Sequence, residues 1–121
     1  MKWFARPAPA DIWDEPIGRP IGDIEAADRI RNICQAARAI AEAAGASAQT
    51  GTRERYERAA RTAMEIAMKI SDDLIRDDAV RRIVDLCMKA DDIKTAQILS
   101  RAIQAAWIRE AVQRDYPTLS Q

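Results

Sequence analysis

The chain has 121 residues and a mass of 13.5 kDa, a length that predicts one domain with one modest core. Its 19 basic and 19 acidic side chains cancel, so no overall field draws it toward nucleic acid or an acidic membrane. It contains no histidine, which removes the commonest general base, the Ser-His and Cys-His nucleophile pairs, H-E-x-x-H zinc sites and E-x-x-H di-iron helices.

Alanine is plentiful, aromatics are few, and the strand-favouring residues are scarce beside Ala, Arg, Ile, Glu and Gln. The inference is an all-α domain. Three parts are predicted: an extended N-terminal segment over 1–22, a single helical domain over 23–116 and a C-terminal tail over 117–121.

Residues 1–22 hold four of the five prolines, two of the three tryptophans and the only phenylalanine. Proline fixes its own φ and pushes the preceding residue toward extended backbone. Arg6-Pro7-Ala8-Pro9 therefore reads as extended, and Glu15-Pro16 and Arg19-Pro20 as turns or straps. Trp3, Phe4 and Trp13 would expose large apolar surfaces if this segment were free in water. Two accounts are open: the segment folds back as a strap over the helical body, or it is a tail that docks on a partner or a second copy.

Four main helices are predicted, arranged as two antiparallel hairpins. The first runs from Asp23, as N-cap, to Gly45, and its apolar face carries Ile30, Ile33, Ala37, Ile40, Ala41 and Ala44. Ala46 to Gly51 reads as a loop. Helix two follows from Thr52, as N-cap, to Ile70, with Tyr56, Ala59, Ala63, Ile66, Ala67 and Ile70 inward. Ser71 or Asp72 caps the third, whose inward residues are Ile75, Ala79, Ile83, Leu86, Cys87 and Ala90. Lys89-Ala90-Asp91-Asp92 is the turn into a fourth helix over Asp92 to Arg114. That helix presents Ile93, Ala96, Leu99, Ile103, Ala106 and Trp107, and Pro117 stops it. Short turns make such helices antiparallel neighbours.

A pattern of small and aliphatic residues recurs with an offset of 33. Ala63 falls on Ala96, Ile66 on Leu99, Ile70 on Ile103, Ile75 on Ile108, Arg76 on Arg109, Asp77 on Glu110 and Ala79 on Val112. This period suits one helical hairpin, a unit that buries its apolar face only by stacking on a neighbour. The runs Ala63-x-x-Ile66-x-x-x-Ile70, Ile75-Arg76-x-x-Ala79 and Lys89-Ala90-Asp91-Asp92-x-x-x-Ala96 resemble the helical-hairpin repeats of the tetratricopeptide-like superfamily over about residues 60–112. There a Lys-Ala-Gly-Asp turn often leads into the next helix. Here Asp91 stands in place of the glycine, and the Trp-x-x-Leu-Gly-x-x-Tyr signature is missing. The resemblance implies a scaffold that binds peptides or proteins in a groove; a closed four-helix bundle explains the same periodicity.

Cys34 and Cys87 lie far apart, outside any C-x-x-C pair, and read as reduced core residues. Met1 to Ala10 has no apolar h-region, and no run approaches the ~20 apolar residues of a membrane span. A cytoplasmic protein without a membrane span is expected.

Three charged features compete for a role. Asp73 and Asp77 stand one turn apart in Asp72-Asp73-Leu74-Ile75-Arg76-Asp77-Asp78 and are the candidate ligands for Mg²⁺ in a metal-dependent phosphohydrolase reading. The structural alternative has Asp72 and Asp73 capping a helix while Asp77 and Asp78 pair with Arg81 and Arg82. Arg53, Arg55, Arg58 and Arg61 make helix two basic, which admits a weak nucleic-acid reading but reads better as a solvated face. Arg76 and Arg109 recur in the repeat, which suggests a shared job such as pairing with a neighbouring helix.

The reading these residues support best is a non-catalytic protein–protein interaction module, adaptor-like or chaperone-like, with no cofactor and no metal. It would bind another polypeptide or itself, as a homodimer, through small-sided helical faces with Trp3, Phe4, Trp13, Arg55 and Arg58.

Overall fold

A computed structural model describes residues 11–44 and 50–120. Among them the regular structure is entirely helical. A 3-10 turn over Ile12–Asp14 precedes α1 (Asp23–Ala44), α2 (Thr50–Ala67), α3 (Asp73–Lys89), α4 (Ile93–Ala102) and α5 (Ala106–Asp115), and a second 3-10 turn covers Pro117–Ser120. Helix α1 packs on α2 and α3, and α3 in turn packs on α2, α4 and α5. The first 3-10 turn lies on α1 and α2, the last on α4 and α5.

The core is aliphatic, with Ile30 and Ile33 of α1, and Ile83, Val84, Leu86 and Cys87 of α3, all fully buried. Facing them, α2 contributes Ala59, Ala63 and Ala67. Small side chains there let α1 and α3 approach α2 closely. They bury less area each, so the larger share of apolar stabilisation, about 1.5–3 kcal/mol per side chain, comes from the isoleucines and leucines opposite.

The predicted fourth helix is two helices. Its interruption falls at Ile103-Gln104-Ala105, which the 33-residue offset places on Ile70-Ser71-Asp72, the turn between α2 and α3. A buried carboxylate holds the break: Asp77 of α3, 2% exposed, accepts from the backbone N–H of Gln104 at 3.2 Å and of Ala105 at 2.8 Å. An amide there cannot serve both this carboxylate and an uninterrupted α-helical ladder. Arg109 of α5 closes the other side, donating to the Ile103 carbonyl at 2.8 Å. The break resets the helical phase, so Ile108, Ala111 and Val112 turn inward while Trp107, predicted to be inward, is 63% exposed, and Ala106 is exposed with it.

The α2–α3 turn is held by the same device. Asp23, predicted as the N-cap of α1, is instead its first residue, and its carboxylate accepts from Ser71 N at 3.0 Å and Asp72 N at 2.9 Å. Asp72 caps α3 by accepting from Ile75 N at 2.9 Å. At the equivalent position in the next turn stands Ala105, which has no side-chain cap.

Three other expectations are corrected. Helix α2 begins at Thr50, so Gly51 and Thr52 are helical rather than loop and cap; Gly45 and the remainder of the predicted loop lie outside the described residues. Asp78 pairs with Arg82 at 3.3 Å as expected, but Asp77 does not pair with Arg81, which lies 3.5 Å from Asp115 of α5. Arg76 and Arg109 do different work, since Arg76 pairs with Asp73 in its own helix at 2.9 Å.

Helix α3 ends in a Schellman motif. Asp92 N donates to Cys87 O at 2.8 Å and Asp91 N to Met88 O at 3.1 Å, with Asp91 in the left-handed region at φ 61°. A side chain at that φ costs free energy that glycine does not.

Two consequences are measurable by chemical denaturation. Asp77→Ala removes the acceptor of two backbone donors and should cost about 2–3 kcal/mol, with Asp77→Asn, which keeps one carbonyl acceptor, losing less. Asp91→Gly should gain about 0.5–1 kcal/mol, or ~2–5 °C in Tm at this chain length; a lower Tm would show that the aspartate side chain contributes more than its backbone strain costs.

Candidate interaction groove

Between α2 and α4 runs a groove of about 380 Å³. Its walls are Ala60, Arg61 and Met64 of α2 against Thr95 and Leu99 of α4, and Tyr56, Glu57 and Asp92 close one end. Two apolar side chains lie outside this lining: Met68, one turn beyond Met64, and Ile98, next to Leu99 in sequence. Both are unusually open for their type, at 70% and 57% exposed.

The closed end is fixed by polar contacts. Tyr56 donates its hydroxyl to Asp92 Oδ2 at 2.7 Å, while Asp92 Oδ1 caps α4 by accepting from Thr95 N at 3.3 Å. Burial works to raise the Asp92 pKa, but the hydrogen bonds from Tyr56 and Thr95 and the charge of Arg53 leave it below the usual carboxylate value. The Tyr56 hydroxyl is pushed up, first by burial and then by Cys87 and Asp92, and stays protonated as a donor. Arg53 sits over the Tyr56 ring at 5.2 Å, near Glu57 at 3.5 Å, and donates to the Ala90 carbonyl at 3.1 Å. These contacts tie α2 to the α3–α4 turn and set the width of the groove at that end.

On another side of α2 lie residues 11–14. Trp13 is 3% exposed and packs into the core, although its indole Nε1 has no acceptor among the described residues. Asp11 accepts from Arg55 at 2.6 and 3.1 Å and from Arg58 at 3.3 Å, and Arg58 also reaches Asp14 at 3.4 Å. The hydrogen bond from Arg55, opposed by burial and aided by the charges of Arg55 and Arg58, lowers the Asp11 pKa. Trp13, Arg55 and Arg58, three of the residues proposed from sequence for partner binding, are thus engaged with one another's elements inside the chain. Trp3 and Phe4 lie outside the described residues.

A second, larger cleft of about 680 Å³ lies between residues 15–21 and helices α1 and α2. It mixes Glu15 and Glu65 with Arg19, Arg29 and Lys69, and Arg29 is partly spent on the Glu15 carbonyl at 2.7 Å. No single ligand chemistry is selected by so balanced a lining.

Asp73 and Asp77 do not form a metal pair. Asp73 is exposed and bonded to Arg76, whereas Asp77 is buried with its Oδ2 on the Gln104 and Ala105 amides. Among the described residues no group of three or more acidic or cysteine side chains is placed to hold a metal ion. Cys34 and Cys87 are buried and free, and burial pushes their thiols up to about 12 and about 11. Thiols so far from ionisation are poor nucleophiles. No described helix is long and apolar enough to cross a membrane.

The tetratricopeptide-like resemblance implied a groove but did not place it between α2 and α4. The signal available was indirect: the offset aligns Ile66 with Leu99, and thereby sets α2 and α4 in equivalent places. Comparison with protein-family models, with curated proteins and with solved structures returns no match.

The Asp11 contacts make stability pH-dependent. Because the folded carboxyl titrates below its ordinary 3.8, its contribution is complete above that value and is lost as pH falls through the lowered folded one. Asp11→Asn should therefore lower Tm at pH 7, by an amount equivalent to ~0.5–1 kcal/mol given the partly exposed arginines. The difference from wild type should shrink on acidification; a gap that widened in acid would contradict the ion pairing.

Proposed function

We propose that this chain is a non-catalytic interaction module that holds a segment of another polypeptide in the groove between α2 and α4. The observation that carries the reading is the groove itself, where Ala60 and Met64 of α2 face Thr95 and Leu99 of α4, with Met68, one turn past Met64, and Ile98, next to Leu99 in sequence, left exposed. Exposed methionine beside aliphatic side chains is an adaptable apolar surface that re-packs around different partners.

The architecture supports the same reading. The α2–α3 and α4–α5 pairs share the 33-residue offset and a carboxylate-held turn, as expected of two related helical hairpins resembling tetratricopeptide-like repeats. Helices α2 and α4 are the first members of the two pairs, so their groove is the face such an array offers to a ligand. Burying Trp13 and pairing Arg55 and Arg58 within the chain leaves this groove, rather than the N-terminal aromatics described, as the binding surface.

The test is selection of peptides from a displayed library on the folded protein, followed by affinity measurement on variants. Met64→Asp and Ile98→Asp should each weaken the selected peptides by roughly tenfold, the equivalent of ~1.4 kcal/mol of lost apolar contact. Circular dichroism melts should stay close to wild type for the exposed Ile98 change. Peptides whose binding ignores both substitutions would place the interaction elsewhere.

A further inference from the structure

Asp11, the first described residue, is fixed against the helix that forms one wall of the groove. It accepts from Arg55 and Arg58 of α2. Arg61, three residues past Arg58 and so its neighbour on the helix surface, lines the groove. The chain that precedes Asp11 therefore departs from a point next to the groove wall. Phe4 and Trp3 stand seven and eight positions before Asp11. Extended backbone covers roughly 3.1–3.6 Å per residue, so that length reaches roughly 20–30 Å, enough to cross the outer face of α2.

The segment and the groove also match in chemistry. Ala60, Met64 and Leu99 give the groove its apolar lining, and a methionine thioether packs well against an aromatic ring. Trp3 and Phe4 carry large apolar surfaces that gain by leaving water. Pro7 and Pro9 have no backbone N–H to satisfy, so a chain of this composition can lie on a helical surface where no sheet edge is offered. Around the closed end, four acids (Glu54, Glu57, Asp91 and Asp92) stand against three bases (Arg53, Arg61 and Lys94). Residues 1–10 bring Lys2 and Arg6 and no acid, the sign that this small excess favours. The other openings fit less well. The cleft beside residues 15–21 is walled by the chain that follows Trp13, and the pocket between α1 and α3, about 120 Å³, is lined by Arg31, Arg38 and Arg82.

From this placement and this match we infer that the groove between α2 and α4 is occupied in cis by the chain's own N-terminal segment, with Trp3 and Phe4 against Met64 and Leu99. The inference rests on the groove being a binding surface, as proposed above, and adds its regulation: a partner segment binds only by displacing the N-terminal aromatics. Tethering through Asp11 gives the segment a high effective concentration at the groove, so weak contacts suffice to hold it. The apparent affinity for a partner is then lowered by the fraction of molecules whose groove is free.

Methyl NMR of the full chain, labelled at its methionines, tests the placement by comparing wild type with a Trp3→Ala, Phe4→Ala variant. In wild type the Met64 methyl signal should be shifted upfield by the ring currents of the two aromatics and should move back in the variant. Met88 of α3 should stay unchanged as the internal reference, as should the circular dichroism spectrum. Peptides from the displayed library that depend on Met64 should bind the variant about tenfold more tightly, the gain expected if the segment holds the groove about nine-tenths of the time. A Met64 signal identical in the two proteins would overturn the cis occupant, while peptides that depend on Met64 would still keep the groove as the site. A Met64 shift that vanished on dilution would assign the aromatics to a second copy of the chain and overturn it as well. A shift reversed by the variant, with no peptide dependent on Met64, would uphold the docked segment and overturn the use of the groove by a partner.

Discussion

Two carboxylates hold the turns on which the packing of the helices depends. A turn between packed helices leaves backbone donors at the start of the second helix that must find acceptors away from water. Here the acceptor comes from the preceding unit rather than from the turn itself. Asp23 of α1 holds the turn before α3, and Asp77 of α3 holds the turn before α5. Each bond fixes where one helix begins relative to a helix two places earlier in the chain, and so sets the register of packing. The need is sharper at the second turn, where Ala105 replaces the local cap that Asp72 supplies at the first.

That register creates the groove. Once α3 is placed against α1 and α5 against α3, helices α2 and α4 stand beside each other. They meet through side chains at the Tyr56–Asp92 end, and Met64 and Leu99 line the groove further along. The remaining contacts of α2 are taken by residues 11–14, where Asp11 and Asp14 meet Arg55 and Arg58. The basic character of α2 is thereby matched by Asp11 and Asp14 on one side and, for Arg53, by Glu57 on the groove side.

The helical class, the repeat and most core positions were legible in the sequence because they follow from periodicity, which a single chain displays. Ala63, Ile66, Ile70, Ala79, Ala96, Leu99, Ile103, Ile108 and Val112, all named by the offset, are buried. The break at Ile103-Gln104-Ala105 was latent in the same offset but hidden by composition, since these three residues include no glycine or proline. What holds it is a side chain 27 and 28 positions away from the amides it binds, and propensity does not report such distant acceptors. A sign existed even so: Asp77 falls on the inward stripe of Val80 and Val84, where an acid must find donors. The groove was less legible, because the difference between a wall residue such as Met64 and an exposed one such as Met68 depends on how far the neighbouring helix stands away.

The two thiols give the molecule a property of a different kind. Cys34 lies on α1 and Cys87 on α3, both buried and both held protonated. Neither reacts appreciably while its helix is in place, since only an exposed thiolate attacks an alkylating reagent. Modification at each position therefore counts the moments at which that helix lifts from the core. With one cysteine in α1 and one in α3, a single labelling time course separates opening of the first helix from opening of the third, without introducing a probe into the native sequence.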